Sequence, residues 1–390
     1  MSATVKRRAP WAVIIVAAFI VVAAIAYFAT RRTADPNERD VLKVGVILPL
    51  TGSLAEGGRQ ALRGLELAVD RYNETADTYR IKLIVEDSRS EPRDGVTAFQ
   101  KLVAVDGVKV VVGGLMSSVT LAIAPIAERE QVIVLSPGSS NPKVRDAGDY
   151  IFRNWASDDY DGRVMAAYAF ESLNKRRAAV LYINNDYGLG LAEAFRITFE
   201  ELGGEVSLME PYAQGQSDFR PLLAKVSDYV VDCIFFPGQP SENGTIVRQC
   251  RELDIVATLL ANLSVESPDF VTAAAGTQAG VIYSTPAFDP SSDEPTVKEF
   301  VRAFSDQYGD PPGIVAGHAF DAGNILIEAL RRADFDLARL KQELYGIANF
   351  DGVTGVTTFD ERGDVHKDVM IKVIQPDLST SVLQRYSPHS

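Results

Sequence analysis

The stretch VKVVVGGLMSSVTLAIAPIAEREQVIVLSPGSSNP, Val108–Pro142, contains one complete unit of an α/β fold. Val108–Val112 is a valine-rich run of the kind that is buried on both faces of a parallel sheet. Gly113 and Gly114 break it. Val119–Glu130 reads as a helix, and Val132–Leu135 is a second buried strand. Strand, glycine turn, helix and strand in that order form a parallel crossover, because a helix carries the chain back to the end of the sheet where it began.

The same rhythm extends in both directions. Upstream, Leu42–Leu48 is a strand ending at Pro49, and Ala55–Asn73 has Leu62, Leu65, Ala68, Val69 and Tyr72 at helical spacing. Arg80–Glu86 alternates like a strand, and Arg93–Val105 is an amphipathic helix. The pattern restarts at Asp158. Helices are predicted at Tyr160–Leu173, Leu189–Leu202, Asp218–Val226 and Glu242–Leu253, alternating with strands at Ala178–Ile183, Glu205–Met209, Val231–Phe236 and Thr258–Ala261. The tail reads as helices at Val297–Tyr308, Val315–Arg332 and Leu337–Tyr345, then a strand at Val369–Ile374. The expectation is two doubly wound, Rossmann-like units, each with helices on both faces of a mostly parallel sheet.

Composition agrees with that reading. The chain has 390 residues, of which 46% are hydrophobic and 23% charged, enough for two sizeable cores and too apolar for disorder. A formal net charge of −13 argues against a nucleic-acid partner, which calls for a basic face. Three His and two Cys argue against metal or thiol clusters. Residues 1–40 are a separate segment. Lys6, Arg7 and Arg8 precede an uncharged run from Ala9 to Ala29, and Arg31 and Arg32 close it. About 20 apolar residues suffice to span a bilayer, so residues 10–30 fit an inner-membrane anchor. Ala24-Ile25-Ala26 has the form of a signal cleavage site, and both readings stay open. Either way the segment enters the membrane at least transiently and the body is exported.

In open parallel sheets, ligands bind beyond the carboxyl ends of the strands. Several such ends here carry small hydroxyl or glycine residues. They are Pro49-Leu50-Thr51-Gly52-Ser53, Gly113–Ser118, Ser136–Pro142, Asn184–Gly188 and Pro237-Gly238-Gln239-Pro240. Ser117 stands where a helix N-cap is expected, and the free N–H groups of the next turn suit an anion. In Ser136–Pro142 closely spaced hydroxyls lie between two prolines.

Other signals are weaker. Gly188-Leu189-Gly190 begins a dinucleotide fingerprint, but Glu193 stands where its third glycine belongs and opposes a pyrophosphate. There is no nucleophile elbow and no P-loop, so neither catalysis nor a cofactor is expected. Glu91, Asp94 and Asp87 read as a solvated loop, and His318 as a core or hinge-facing residue of an apolar helix. Cys233 begins a strand and Cys250 ends the next helix. Those ends can approach, so a disulfide and two buried thiols are both open.

LKVGVILPLTG (Leu42–Gly52), GGLMSSVTLAIAPIAEREQVIVLSPGSSNP (Gly113–Pro142) and NNDYGLGLAEAF (Asn184–Phe195) resemble the type I periplasmic binding proteins, and most of all the leucine/isoleucine/valine-binding proteins of ABC transporters. FDGVTG (Phe350–Gly355) and FDERGD (Phe359–Asp364) do so too. The resemblance covers about residues 41–375 and implies two lobes joined by three hinge crossovers, near Arg153–Asp158, Ser284–Asp289 and Gly346–Asp351. The first lobe is then 41–154 plus 288–345 and the second 156–284 plus 350–380. It also implies a ligand cleft between the lobes and a permease in the membrane as partner.

By the same resemblance, Ser117 and Ser140 hold the carboxylate and ammonium of an amino acid. The Gly138 carbonyl accepts from the ammonium, and Tyr187 covers the ligand. Ser118, Ser139 and Gln239 complete the candidate set. The family's acidic partner for the ammonium falls near Leu263 or Ser264, neither of which is acidic, and tyrosines of the family fall at Gln239 and Gly57. Asp159, Glu56, Glu242 and Glu266 are the acidic residues considered in its place. Branched-chain amino acids, small carboxylates and amides are therefore all expected ligands. The leading function is an extracytoplasmic solute receptor. A sensory module of the same fold, of amide or urea type, is the alternative, and an enzyme is a distant third.

Overall fold

The computed structural model describes residues 40–365 and 367–386. The first lobe has a five-stranded sheet of β1 (Asp40–Leu48), β2 (Tyr79–Asp87), β3 (Val110–Gly113), β4 (Ile133–Ser136) and β5 (Ile151–Arg153). Its order is β2-β1-β3-β4-β5, and every pairing is parallel. The helices between these strands are α1 (Ala55–Thr75), α2 (Pro92–Ala104) and α3 (Ser117–Glu130). Alternation along β1 sorts the core. Val44, Val46 and Leu48 join Leu65 and Val69 of α1 on one face, while Ile47 joins Phe99 of α2 and Ile123 of α3 on the other.

The second lobe begins with α4 (Asp158–Ala167), which passes into a π turn over Tyr168–Ser172. Strands β6 (Arg177–Ile183), β7 (Glu205–Tyr212), β8 (Cys233–Phe235), β9 (Thr258–Ala261) and β10 (Ile282–Pro286) alternate with α5 (Asp186–Glu201), α6 (Arg220–Ser227), α7 (Pro240–Glu252) and α8 (Pro268–Ala274). The tail adds α9 (Pro295–Tyr308), α10 (Ile314–Arg332), α11 (Leu337–Tyr345), a hairpin of β11 (Phe350–Gly352) and β12 (Gly355–Thr357), and finally β13 (Val369–Ile374) and β14 (Thr380–Tyr386). The last two complete a seven-stranded sheet, β14-β13-β10-β9-β8-β6-β7, in which β13 and β14 run antiparallel to their neighbours.

α10 belongs to the first core. Its Ala322, Ile325 and Leu326 pack with Val44 and Leu65, and a Cβ on Gly64 of α1 would lie 2.1 Å from the Ala316 carbonyl oxygen. The hairpin follows it, since Asp321 of α10 accepts from Val353 N at 2.9 Å and Thr354 N at 2.8 Å. Phe350, Phe359 and Val365 also pack on the first core. Packing therefore divides 350–380, which the sequence reading placed wholly in the second lobe. Val369, by contrast, is buried in a core of the second sheet, so the cores that these side chains join change after Val365 rather than at Gly346–Asp351.

Strands β5, β10 and β14 and helix α8 carry no clear periodicity. β5 has three residues, β10 ends Ser284-Thr285-Pro286, and β14 is an exposed edge. Among the described residues no helix is long and apolar enough to cross a membrane. The apolar run Ala9–Ala29 lies outside the described residues.

Cys233 and Cys250 are free thiols. Cys233 packs with Phe195 and Phe199 on one face of the second sheet, and Cys250 with Ile234 and Ile246 on the other. The sheet itself separates them. Reduction is expected to leave both the mass and the melting temperature unchanged; a gain of two protons would show a bridge.

Candidate ligand-binding site

The site is built from the two loops that leave β3 and β4. Gly113 has φ 152°, and a Cβ there would sit 2.2 Å from the Ile47 carbonyl oxygen. This turn sets the start of α3. Met116 is the N-cap, so the helix starts one residue earlier than expected and Ser117 is its first residue. Its hydroxyl does not cap its own helix. Instead Ser117 Oγ accepts from Ser140 N and Asn141 N, both at 3.1 Å, and so fastens the second loop to the first.

The second loop is braced from beneath. Ser136 Oγ donates to the Gly114 carbonyl at 2.8 Å and accepts from Ser139 N at 3.0 Å. Ser139 Oγ donates to the same carbonyl at 2.6 Å and lies 2.7 Å from Thr120 Oγ1. Ser139 thus spends its hydroxyl inside the first lobe. Ser117 and Ser140 are 7% and 5% exposed, while Ser118 and Gly138 are half-buried beside them. A Cβ on Gly138 would press into Leu115 Cδ1 at 2.3 Å. At Gly57, where the family has tyrosine, a Cβ would meet only Leu115 Cδ2, at 3.8 Å, so that wall is open.

Behind the second loop stands Arg153, at the end of β5 and 1% exposed. Its Nη1 donates to the Ser140 and Asn141 carbonyls at 3.0 Å each. Its Nε and Nη2 form a bidentate pair with Asp364, the latter bond at 2.6 Å. Arg145 joins Asp364, at 2.9 Å, to Asp159 of α4, at 3.1 Å, so this charged cluster spans the first crossover. Sequence periodicity gave no sign of Arg153, because its partner is far away in the chain.

The opposite wall comes from the second lobe. Tyr187 lies in the first turn of α5, and its hydroxyl accepts from Asn262 Nδ2 at 2.5 Å. Asn262 also donates to the Gly238 carbonyl at 3.1 Å and accepts from Asn243 Nδ2 and Ser264 Oγ, each at 2.9 Å. This neutral network fixes the Tyr187 ring. Burial raises the Tyr187 pKa, with the negative charge of Asp158 adding to it. Gln239 is half-buried at the N-cap of α7. The walls meet where Asn141 Nδ2 donates to the Asp186 carbonyl at 2.6 Å and Lys143 pairs with Asp186 at 2.9 Å.

Leu263 packs against the apolar cluster of Trp155 and Phe288. The four acidic residues considered in place of the family's acid are engaged elsewhere. Glu56 pairs with Arg59, Asp159 with Arg145 and Arg163, and Glu266 with Lys372, while Glu242 accepts from Gly215 N. One carboxylate not among them is buried at the cleft. Asp158 opens α4, is 2% exposed, and its Oδ2 has no hydrogen-bond partner among the described residues. Its N–H donates to the Ser140 carbonyl at 2.7 Å. Burial holds its pKa well above the usual carboxylate range, while the Ser140 hydroxyl favours the charged form.

The remaining candidates lie elsewhere. His318 is buried in α10, with Nδ1 3.0 Å from the Ile314 carbonyl and its ring 4.3 Å from that of Trp155. Asp87 binds the turn after β1 through Leu50 N and the Thr51 hydroxyl. Among the described residues no group of three or more His, Cys, Asp or Glu side chains is placed to hold a metal.

Two doubly wound lobes with facing loop clusters are shared with known proteins. The family profile described as "Periplasmic binding protein" matches residues 41–376. The chain belongs to that family. It is 30% identical over 329 residues to the Leu/Ile/Val-binding protein homolog 1 of Brucella abortus, covering 83% of this chain and 87% of the relative. The leucine-binding protein LivK of Thermotoga maritima superposes with a TM-score of 0.84 at 29% identity, covering 89% of this chain and 99% of that one. The branched-chain substrate-binding protein LivJ of Streptococcus pneumoniae, solved with isoleucine, gives 0.81 at 26% identity, with coverages of 89% and 99%. Relatives of this kind bind solutes for transporters, and the family is extracytoplasmic.

Proposed function

We propose that this chain is the extracytoplasmic receptor of an ABC transporter. It captures a small amino acid of the branched-chain type, or a related carboxylate, between its lobes and presents it to a membrane permease. The observation that carries this reading is the junction of the Gly113–Ser118 and Ser136–Pro142 loops through the Ser117 hydroxyl, beside the start of α3. Backbone and hydroxyl groups there suit a ligand carboxylate. Ser117, Ser118, Gly138 and Ser140 receive the ligand's polar end. Tyr187 and Gln239 close over it from the second lobe, with Ser139 bracing from below. The open wall at Gly57 and Leu115 takes an aliphatic side chain.

The moving bodies are 41–154 with 288–345, and 156–284 with β13 and β14, and residues 350–365 ride on the first. Ligand contact with both bodies favours the closed state. Residues 10–30 take the body across the inner membrane and then either leave as a signal or hold it there. The site binds without turnover, so bound ligand is recovered chemically unchanged.

A thermal-shift panel of amino acids, amides, ureas and small carboxylates tests the reading. Leucine, isoleucine or valine at about 100 times Kd should stabilise the protein by about 2.7 kcal/mol, read as a raised Tm. A panel in which no amino acid or carboxylate moves the Tm would sink it.

A further inference from the structure

Given an amino-acid ligand as proposed above, we infer that Asp158 supplies the counter-charge for its ammonium group, in place of an acid at Leu263 or Ser264. An ammonium in a closed cleft needs a partner of opposite charge, or its desolvation is uncompensated. Leu263 is committed to the Trp155 cluster, and Ser264 Oγ donates to Asn262. Asp158 stands where the two lobes converge. Its backbone is tied to Ser140 of the first lobe. A Cβ on Gly190 of α5 would stand 3.8 Å from Asp158 Oδ2, 3.4 Å from Pro142 Cδ and 3.6 Å from Asn141 Nδ2. Tyr187, one turn earlier on α5, is close enough for the Asp158 charge to act on its hydroxyl. A buried carboxylate oxygen without a donor is costly unless a ligand supplies one. An ammonium has three N–H donors to divide among Asp158, the Ser140 hydroxyl and the Gly138 carbonyl.

The neighbouring charges support this role. Arg153, whose charge reaches Asp158, spends its hydrogen bonds on Asp364 and two carbonyls. Asp159 is neutralised by Arg145. Asp161, on the same turn, is also buried with an unpartnered oxygen, but its hydroxyl neighbour is Ser284 of β10. It adds negative potential at Asp158.

The test compares leucine with 4-methylpentanoate, which is leucine without its amino group, by calorimetry on the full chain. Wild type should prefer leucine by about a hundredfold or more. Asp158→Asn should lose that preference through a fall in leucine affinity, while 4-methylpentanoate binds as before. Asp161→Asn should keep the preference. Ligand-free Asp158→Asn should melt no lower than wild type, since burial already disfavours the charged form of Asp158 and the amide carries no charge. Asp158→Ser serves if the amide variant does not fold. Wild type binding both compounds equally would overturn the inference even without a variant. So would an Asp158→Asn protein that keeps wild-type leucine affinity, or one that loses both ligands equally. If wild type binds 4-methylpentanoate but no amino acid, this inference falls while the receptor reading stands; if it binds neither amino acids nor carboxylates, both fall.

Discussion

Replacing Arg153 with methionine is expected to cost roughly 3–5 kcal/mol of stability, the effect of breaking a buried ion pair by removing one partner, with Arg145 alone left beside Asp364. Arg153 is 1% exposed and makes four bonds, two to Asp364 and two to the carbonyls of Ser140 and Asn141. Methionine fills a similar volume but removes those four bonds, leaving Asp364 to Arg145 and Val365 N, and the two carbonyls to the N–H groups of Asp158 and Val144. The double variant Arg153→Met/Asp364→Leu should lose much less than the two single losses added together, because each single change already breaks the shared pair. Denaturant titration of the three variants measures this. A loss below about 1 kcal/mol in Arg153→Met would show that the pair is not a structural requirement.

The same pair sets a pH dependence. Burial works to raise the Asp364 pKa, but its bonds to Arg153 and Arg145 outweigh burial and hold it below the ordinary value of 3.8. A carboxylate with a depressed folded pKa contributes stability that is fully present above its unfolded pKa. That stability is lost as pH falls from 3.8 through the folded pKa. Asp364→Asn should therefore flatten the acid limb of the stability curve.

Alanine at both Ser117 and Ser140 is expected to weaken ligand binding by about a hundredfold, on the basis of two buried polar contacts at about 1–1.5 kcal/mol each. Read from sequence, the same change should leave thermal stability almost untouched. The structure alters that expectation. Ser117 Oγ is the acceptor for two buried N–H groups, so its removal should also cost about 1–3 kcal/mol of ligand-free stability. Ser140→Ala alone should spare the fold, since the loop is held through the Ser140 backbone. Calorimetric affinity and Tm, measured on the single and double variants, separate the two contributions. Unaltered affinity in the double variant would remove these loops from the site.

Much of the fold was legible because its elements are local. The Val108–Val112 and Val132–Leu135 runs, and the helix between them, lie within a residue or two of β3, β4 and α3. The segments that went unread lack a pattern of their own. β14 is an edge strand paired only with β13, and the hairpin at Phe350–Thr357 is placed by Asp321 of α10 rather than by its own composition. The disulfide question shows the same limit. Proximity of a strand start to a helix end was readable, but the sheet lying between the two thiols was not.

Two largely parallel sheets, the loops at their carboxyl edges, and the hydroxyl-rich character of the first-lobe wall are written in the sequence alone. Periodicity and turn chemistry encode these over a few residues. Tertiary structure decided which of those groups are free. It spent Ser139 on Gly114, turned Ser117 toward the neighbouring loop, and bound Arg153 to an aspartate 211 residues away. It also left Asp158 buried without a partner for its Oδ2 among the described residues. Whether a polar side chain is satisfied depends on every donor and acceptor the fold brings within about 3 Å. That count exists only once the chain has closed on itself.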